Sequence, residues 1–201
     1  MQQSIFDNSP IHFELPDTQL SYYPDFIAHH ESVYEALLDK LEWQQDTISM
    51  YGKPVKIPRL NAWYGDSNAH YAYSGLALSP LAWTPLLLDL KQQLEQFLDC
   101  SFNSVLANHY RNGQDSVAWH SDDEQELGHE PLIASLSFGA TRSFTLRHKF
   151  NEDQAPVKID LAGGSLLVMA GTTQRCWQHQ LAKTRSVVAG RINLTFRQIV
   201  V

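Results

Sequence analysis

From about Ser104 to the C-terminus the chain consists of short runs in which apolar and polar residues alternate, and this period of two constrains its fold more than any other feature. The runs Val105 to Tyr110, Ile133 to Phe138, Ser143 to Arg147, Val157 to Leu161, Ser165 to Met169, Arg185 to Val188 and Ile192 to Val200 are rich in β-branched and aromatic residues. Turn formers such as Arg111-Asn112-Gly113, Gly139-Ala140-Thr141 and Ala162-Gly163-Gly164 separate them. Short strands at this spacing predict a barrel or a two-sheet jelly roll.

Upstream the period is helical. Val33, Leu37, Leu38 and Leu41 line one side of a helix predicted from Glu31 to Trp43. A second helix is predicted to open with Thr84 as N-cap and Pro85 at the first helical position. It runs through Leu87, Leu90, Leu94, Phe97 and Leu98 and ends near Cys100. Residues 1 to 24 show no clear period and read as an irregular arm, and the segment from Tyr51 to Pro80 reads as hairpin and loop covering one mouth of the body. The expectation is one α+β domain over residues 1–201: arm and helix over 1–50, lid over 51–80, β core over 104–201.

Composition narrows the class. Apolar residues make up 43% of the chain and charged residues 18%, which excludes a largely disordered polymer. Two cysteines, Cys100 and Cys176, cannot supply a disulfide framework, so a reducing compartment, the cytoplasm, is expected. The N-terminal residues lack a basic segment followed by an apolar one, and no run approaches the ~20 apolar residues of a membrane span. The formal charge of -7 argues against phosphate-binding charge spread over the whole surface, but a locally basic cleft is compatible with that total. Arg142, Arg147, His148, Lys149 and Lys158 concentrate positive charge against only Glu152 and Asp153, a candidate phosphate-binding stretch or an ordinary mixed surface.

Nine histidines raise the question of a metal. His-x-Asp/Glu places two ligands on one face of a strand, because side chains alternate with period two. The pattern occurs at His12-x-Glu14, His29-x-Glu31 and His120-x-Asp122. The third match lies where a strand pattern meets a polar loop in the β-rich half, with His179 in a second strand-turn context 59 residues later. Two histidines and one carboxylate form a facial triad that holds Fe(II) and leaves open positions for cosubstrate and oxygen. The alternative is a surface histidine beside solvated Asp122, Asp123, Glu124 and Glu126.

In the last strand, Arg191, Asn193, Thr195 and Arg197 share one face, while Ile192, Leu194 and Phe196 share the other. One face is apolar and the other is a candidate anion site, unless the strand is half exposed and its arginines face water. Asn108-x-Tyr110 adds an amide and a phenol, neutral donors of the kind that complete a carboxylate site.

The blocks NSVLANHYRNGQDSVAWHSDDE, PLIASLSFGATRSFTLRHK, GGSLLVMAGTTQRCWQH and GRINLTFRQ, with PRLNAWYGD and YAYSG upstream, resemble the AlkB-like Fe(II)/2-oxoglutarate dioxygenases, nearest the branch that repairs alkylated nucleic acid. The resemblance covers about residues 50 to 199, with six separated blocks in the right order. It implies a double-stranded β-helix (jelly-roll) core with a nucleotide-recognition lid, with Fe(II) as cofactor and 2-oxoglutarate and O2 as cosubstrates. It also implies iron ligands at His120, Asp122 and His179, and 2-oxoglutarate contacts at Asn108, Tyr110, Arg191, Asn193 and Arg197. Substrate contacts fall on Tyr71 and Tyr73, which would bracket a flipped base, on Asp123 and Glu124 beside a cationic lesion, and on Tyr51-Gly52-Lys53 at a hairpin that enters the duplex in one branch. The implied activity is oxidative demethylation of bases such as 1-methyladenine and 3-methylcytosine in DNA or RNA, by a monomer that binds nucleic acid and no membrane. The same chemistry on a protein side chain or on RNA only, and a binding module without turnover, are the rival expectations.

Overall fold

The computed structural model describes residues 9–50, 52–69, 71–73 and 76–200; Tyr51 and the side chains of Met50 and of residues 71–73 and 76–78 lie outside the description. Strands β1 (Ile11–Phe13) and β2 (Gln19–Tyr23) precede helix α1 (His30–Lys40). Strands β3 (Thr47–Met50), β4 (Lys53–Lys56), β5 (Leu60–Gly65), β6 (Tyr71–Tyr73) and β7 (Leu76–Leu78) lead to α2 (Pro85–Leu98). The second half holds β8 (Ser104–Tyr110), β9 (Val117–His120), β10 (Ile133–Gly139), β11 (Arg142–His148), β12 (Val157–Leu161), β13 (Leu166–Ala170), a short helix α3 (Thr173–Cys176), β14 (Trp177–Leu181) and β15 (Arg191–Arg197). A seven-stranded sheet runs in the order β1-β2-β13-β10-β15-β8-β5, and a four-stranded sheet in the order β12-β11-β14-β9. All of the pairings within these two sheets are antiparallel.

Alternation along the strands sorts the core into two layers. Ile192, Leu194 and Phe196 of β15, Val105 and Ala107 of β8, and Leu136 and Phe138 of β10 pack with Leu37 of α1 and Leu87, Leu90 and Leu94 of α2. Full burial of each such leucine is worth about 1.5–3 kcal/mol, and this face carries the helices. The opposite, interior layer contains Ile133, Leu167 and Met169 of the large sheet with Leu146, Ile159, Leu161 and Trp177 of the small one. The intervening residues of β15 therefore put Arg191, Asn193 and Thr195, all buried, between the sheets. The expected polar face is thus interior and is not wetted by bulk solvent.

The second helix starts where the sequence predicts, with the Thr84 hydroxyl accepting from the Leu87 amide at 3.2 Å and Pro85 following. The first helix stops at Lys40, short of Trp43, because Leu41 is already extended. Trp43 turns back so that its indole N–H donates to the Leu37 carbonyl and its ring packs 5.4 Å from His109. The expected irregular arm is also corrected: β1 and β2 extend the large sheet, with Tyr22 opposite Leu167. Arg185 to Val188, expected as a strand, is a bend at Arg185 and Ser186 followed by irregular backbone, and Val187 is fully solvent-exposed. Close packing explains two glycines, Gly139 at the end of β10 and Gly190 just before β15. A Cβ at Gly190 would overlap the Tyr34 hydroxyl, and one at Gly139, whose φ is +81°, would overlap the Gly190 carbonyl.

His109 lies among these groups with a buried Nδ1 that has no partner among the described residues. Burial lowers its pKa below 6.5, against an upward pull from Asp115 and with a further downward push from Arg111. The folded chain therefore keeps it neutral while the unfolded chain takes up a proton near pH 6.5. Stability from this group is complete above that pH and is lost as the pH falls toward the lower folded value. His109→Gln should flatten the decline of Tm between about pH 7 and about pH 5, and parallel declines in both proteins would refute the assignment.

Candidate metal and cosubstrate site

His120 ends β9 and His179 sits in β14, and the two are Cα partners across the antiparallel pair. Residues opposite each other on one face bring their side chains together, and the two rings meet edge to face at 4.3 Å. The register shifts between His179 and Leu181, a local bulge of the kind that re-aims a side chain. Asp122 follows two residues after His120, in a turn held by its own amide, which donates to the Gln174 side-chain oxygen at 2.9 Å. Ser121 adds a bond to the Trp177 carbonyl at 2.9 Å, tying the turn to the start of β14.

One ligand atom from each of His120, Asp122 and His179 lies within 4.8 Å of the others. Their chemistry suits a divalent ion. The Ala118 carbonyl can only accept, so at 2.9 Å it fixes the proton of His120 on Nδ1 and leaves Nε2, 3.8 Å from Asp122, with its lone pair. Burial pushes His179 down to about 3, against the upward pull of Asp122, so its imidazole is neutral at ordinary pH. Burial would raise Asp122, but the Arg197 guanidinium and the two imidazoles outweigh it and hold the carboxyl at about 2. The site is open on one side: the His120 side chain is 38% exposed against 6% for Asp122.

The interior face between the two sheets also holds a buried cation. Arg191, 2% exposed, donates from Nη2 to the Ser137 hydroxyl at 2.9 Å, and its guanidinium lies 5.5 Å from the Tyr110 ring centroid. Its Nε is buried without a partner among the described residues, and burial lowers its pKa to about 10. Among the described residues no carboxylate pairs with this guanidinium; a buried charge in that state is costly, and an entering anion would relieve the cost. Tyr110 is Arg191's Cα partner, and Asn108 is the partner of Asn193, so all four share the interior face.

The other expected site residues divide. Asn193 spends both amide hydrogens inside the protein, on the Ser135 hydroxyl at 2.7 Å and the Leu136 carbonyl at 3.1 Å. Arg197 pairs with Asp122 at 2.8 Å, so it borders the triad directly. Asp123 is paired with Lys149 at 2.9 Å, and Glu124 keeps a buried carboxylate oxygen without a partner among the described residues. Gly52, at φ +75°, and exposed Lys53 sit at the β3–β4 turn, while Tyr51 lies outside the described residues. Tyr71 and Tyr73 fall on one face of β6 by register, opposite Leu78 and Leu76.

The expected basic stretch is corrected at its first member. Arg142 is buried and donates to the carbonyls of Asn112, Asp115 and Ala182, so it is a structural cross-link unable to reach a phosphate. Arg147 stacks 4.2 Å over Trp119, and His148 pairs with Asp17 at 3.2 Å. Sequence reading missed Ser135, Ser137, Gln174 and Arg59. Only the serines left a trace, as hydroxyls alternating with Leu136 in an apolar run.

The sequence signature of the 2OG-Fe(II) oxygenase superfamily matches residues 19–197. The chain is 48% identical to the Bos taurus alpha-ketoglutarate-dependent dioxygenase alkB homolog 3, over 88% of its own length and 64% of that protein. To the Homo sapiens alkB homolog 3 it is 42% identical over 90% and 66%. To the Homo sapiens DNA oxidative demethylase ALKBH2 it is 38% identical over 86% and 69%. The chain thus spans just under two thirds of the first of these relatives. The solved structure of OsALKBH1 superimposes with a TM-score of 0.59 at 18% identity, covering 92% of this chain and 98% of that one, which supports the jelly-roll fold.

Proposed function

Because the chain belongs to the 2OG-Fe(II) oxygenase superfamily, we propose that it is an iron(II)- and 2-oxoglutarate-dependent dioxygenase that removes N-methyl groups from alkylated bases in nucleic acid. The observation that carries the reading is the pairing, inside one barrel, of the His120, Asp122 and His179 donor set with the uncompensated guanidinium of Arg191. A triad alone suits many metals; a buried cation on the same interior strand as Arg197, which touches the triad, calls for an anionic cosubstrate.

In this reading His120 Nε2, the Asp122 carboxylate and a neutral His179 hold the iron. Arg191, with the Tyr110 phenol beside it, takes the distal carboxylate of 2-oxoglutarate, and Asn108 donates from the neighbouring strand. Arg197 holds Asp122 ionised and oriented. Iron with 2-oxoglutarate and oxygen supplies the oxidising power that converts an N-methyl group to N-hydroxymethyl, with release of succinate and CO2. The hydroxymethyl product is a hemiaminal, which expels formaldehyde and leaves the restored base.

A base within a duplex cannot present its methyl group to this interior, so the base must be unstacked and caged. Tyr71 and Tyr73, on one strand face of the lid, are assigned that role, with Asp123 and Glu124 near a cationic lesion. Stacking on an aromatic side chain is worth about 1–3 kcal/mol per base. Tyr71→Ala and Tyr73→Ala should therefore lose demethylation of a methylated oligonucleotide by about tenfold or more and keep uncoupled 2-oxoglutarate decarboxylation. Equal loss of both activities would make the tyrosines supports of the fold. Succinate formation stimulated by a protein and not by methylated DNA or RNA would favour the protein-hydroxylase reading.

A further inference from the structure

Arg59 lies in the bend between β4, the outgoing strand of the lid hairpin, and β5 of the large sheet. Its Nε donates to the Asn108 side-chain oxygen at 2.8 Å, and its Nη1 reaches the Ser116 carbonyl at 3.4 Å. The first contact settles how the Asn108 amide stands. A guanidinium has only donors, so the amide must turn its oxygen to Arg59 and its NH2 the other way. Asn108 is 6% exposed, and among the described residues nothing accepts from its Nδ2. The neighbouring Asn193 offers a contrast, since both of its amide hydrogens are consumed by Ser135 and Leu136.

We propose that Arg59 is a positioning residue for 2-oxoglutarate: by clamping the Asn108 oxygen it presents the Asn108 NH2 as a ready donor to the cosubstrate on the Arg191 face of the barrel. The second contact extends the clamp. Ser116 immediately precedes β9, which carries His120, so one guanidinium ties the lid's return segment, the cosubstrate strand and the approach to the triad. Without Arg59 the amide rotates between two orientations, and one of them turns its oxygen toward the carboxylate of the cosubstrate. Repulsion in that orientation, and the cost of fixing the other, both fall on cosubstrate affinity.

This inference rests on the placement of 2-oxoglutarate given above, and a double-mutant cycle separates the two. Dissociation constants for 2-oxoglutarate are measured by calorimetry on the anaerobic Mn(II)-loaded protein, for wild type, Arg59→Ala, Asn108→Ala and the double variant, with Tm recorded for each. Arg59→Ala and Asn108→Ala are each expected to weaken binding about tenfold, the factor one hydrogen bond of about 1.4 kcal/mol carries. The double variant should be no weaker than Asn108→Ala alone, because Arg59 has no route to the ligand once the amide is gone. In turnover, Arg59→Ala should raise KM for 2-oxoglutarate while leaving kcat near wild type.

Weakened binding in Asn108→Ala with none in Arg59→Ala overturns the positioning role and spares the cosubstrate placement. Additive losses in the double variant overturn it as well, since Arg59 would then act independently of Asn108. No loss in Asn108→Ala overturns the placement of the cosubstrate and the inference with it.

Discussion

Asp122→Ala is expected to reduce turnover below about 1% of wild type and to lower Tm as well, whereas His120→Ala should cost the same activity with little change in Tm. Both residues are assigned to the iron, and changes one shell farther out already cost such sites about 10–100-fold in metal affinity or activity. Their surroundings differ. Asp122 is buried against the 84%-buried side chain of Arg197 at 2.8 Å, and removing one partner of a buried ion pair costs about 3–5 kcal/mol. The His120 side chain is 38% exposed, and among the described residues its one hydrogen bond is to the Ala118 carbonyl. Iron affinity, succinate formation and thermal melts of the metal-free proteins check both parts. Wild-type iron affinity in Asp122→Ala would remove it from the ligand set, and equal Tm values would show that its pairing with Arg197 contributes nothing to the fold.

Arg191→Met is expected to separate binding from stability in the opposite sense. The guanidinium is fully enclosed, has one hydrogen bond to Ser137, and faces no carboxylate among the described residues. An isolated buried charge opposes folding, and the unbranched methionine occupies much of the same volume. The ligand-free variant should therefore melt higher than wild type. Affinity for 2-oxoglutarate should fall about 100-fold, because two hydrogen bonds to a charged group at about 1.5 kcal/mol each are lost. Arg191→Lys, with its charge kept and its fork removed, should bind between the two. A lower Tm for the methionine variant would mean that Arg191 supports the fold. Unchanged cosubstrate affinity would move the anion site elsewhere.

Much of the site was legible in one dimension because alternation is a local property. The period of two along residues 191 to 197 places Arg191, Asn193, Thr195 and Arg197 on one face whatever the strand pairs with. Asn108 and Tyr110 follow from the same rule, and Thr84-Pro85 specifies a helix start through contacts three residues away. His179 is a different case. Its context alone marked it as a candidate, and resemblance to whole sequence blocks joined it to His120.

The partner of each charge was decided only by the tertiary structure. Arg142 and Arg147 look alike in sequence, yet one is buried among three carbonyls and the other stacks on Trp119 at the surface. Asp123 meets Lys149, Arg197 meets Asp122, and Arg59 meets Asn108, across separations of 26, 75 and 49 residues. The alternating residues Arg185 to Val188 failed to form a strand, although their pattern matches the runs that did. The sequence by itself thus determined which side chains share a face, because the backbone geometry of a strand dictates that within a few residues. Which cation meets which carboxylate, and which guanidinium meets none among the described residues, depends on the register between strands distant in the chain, and no local period encodes that register.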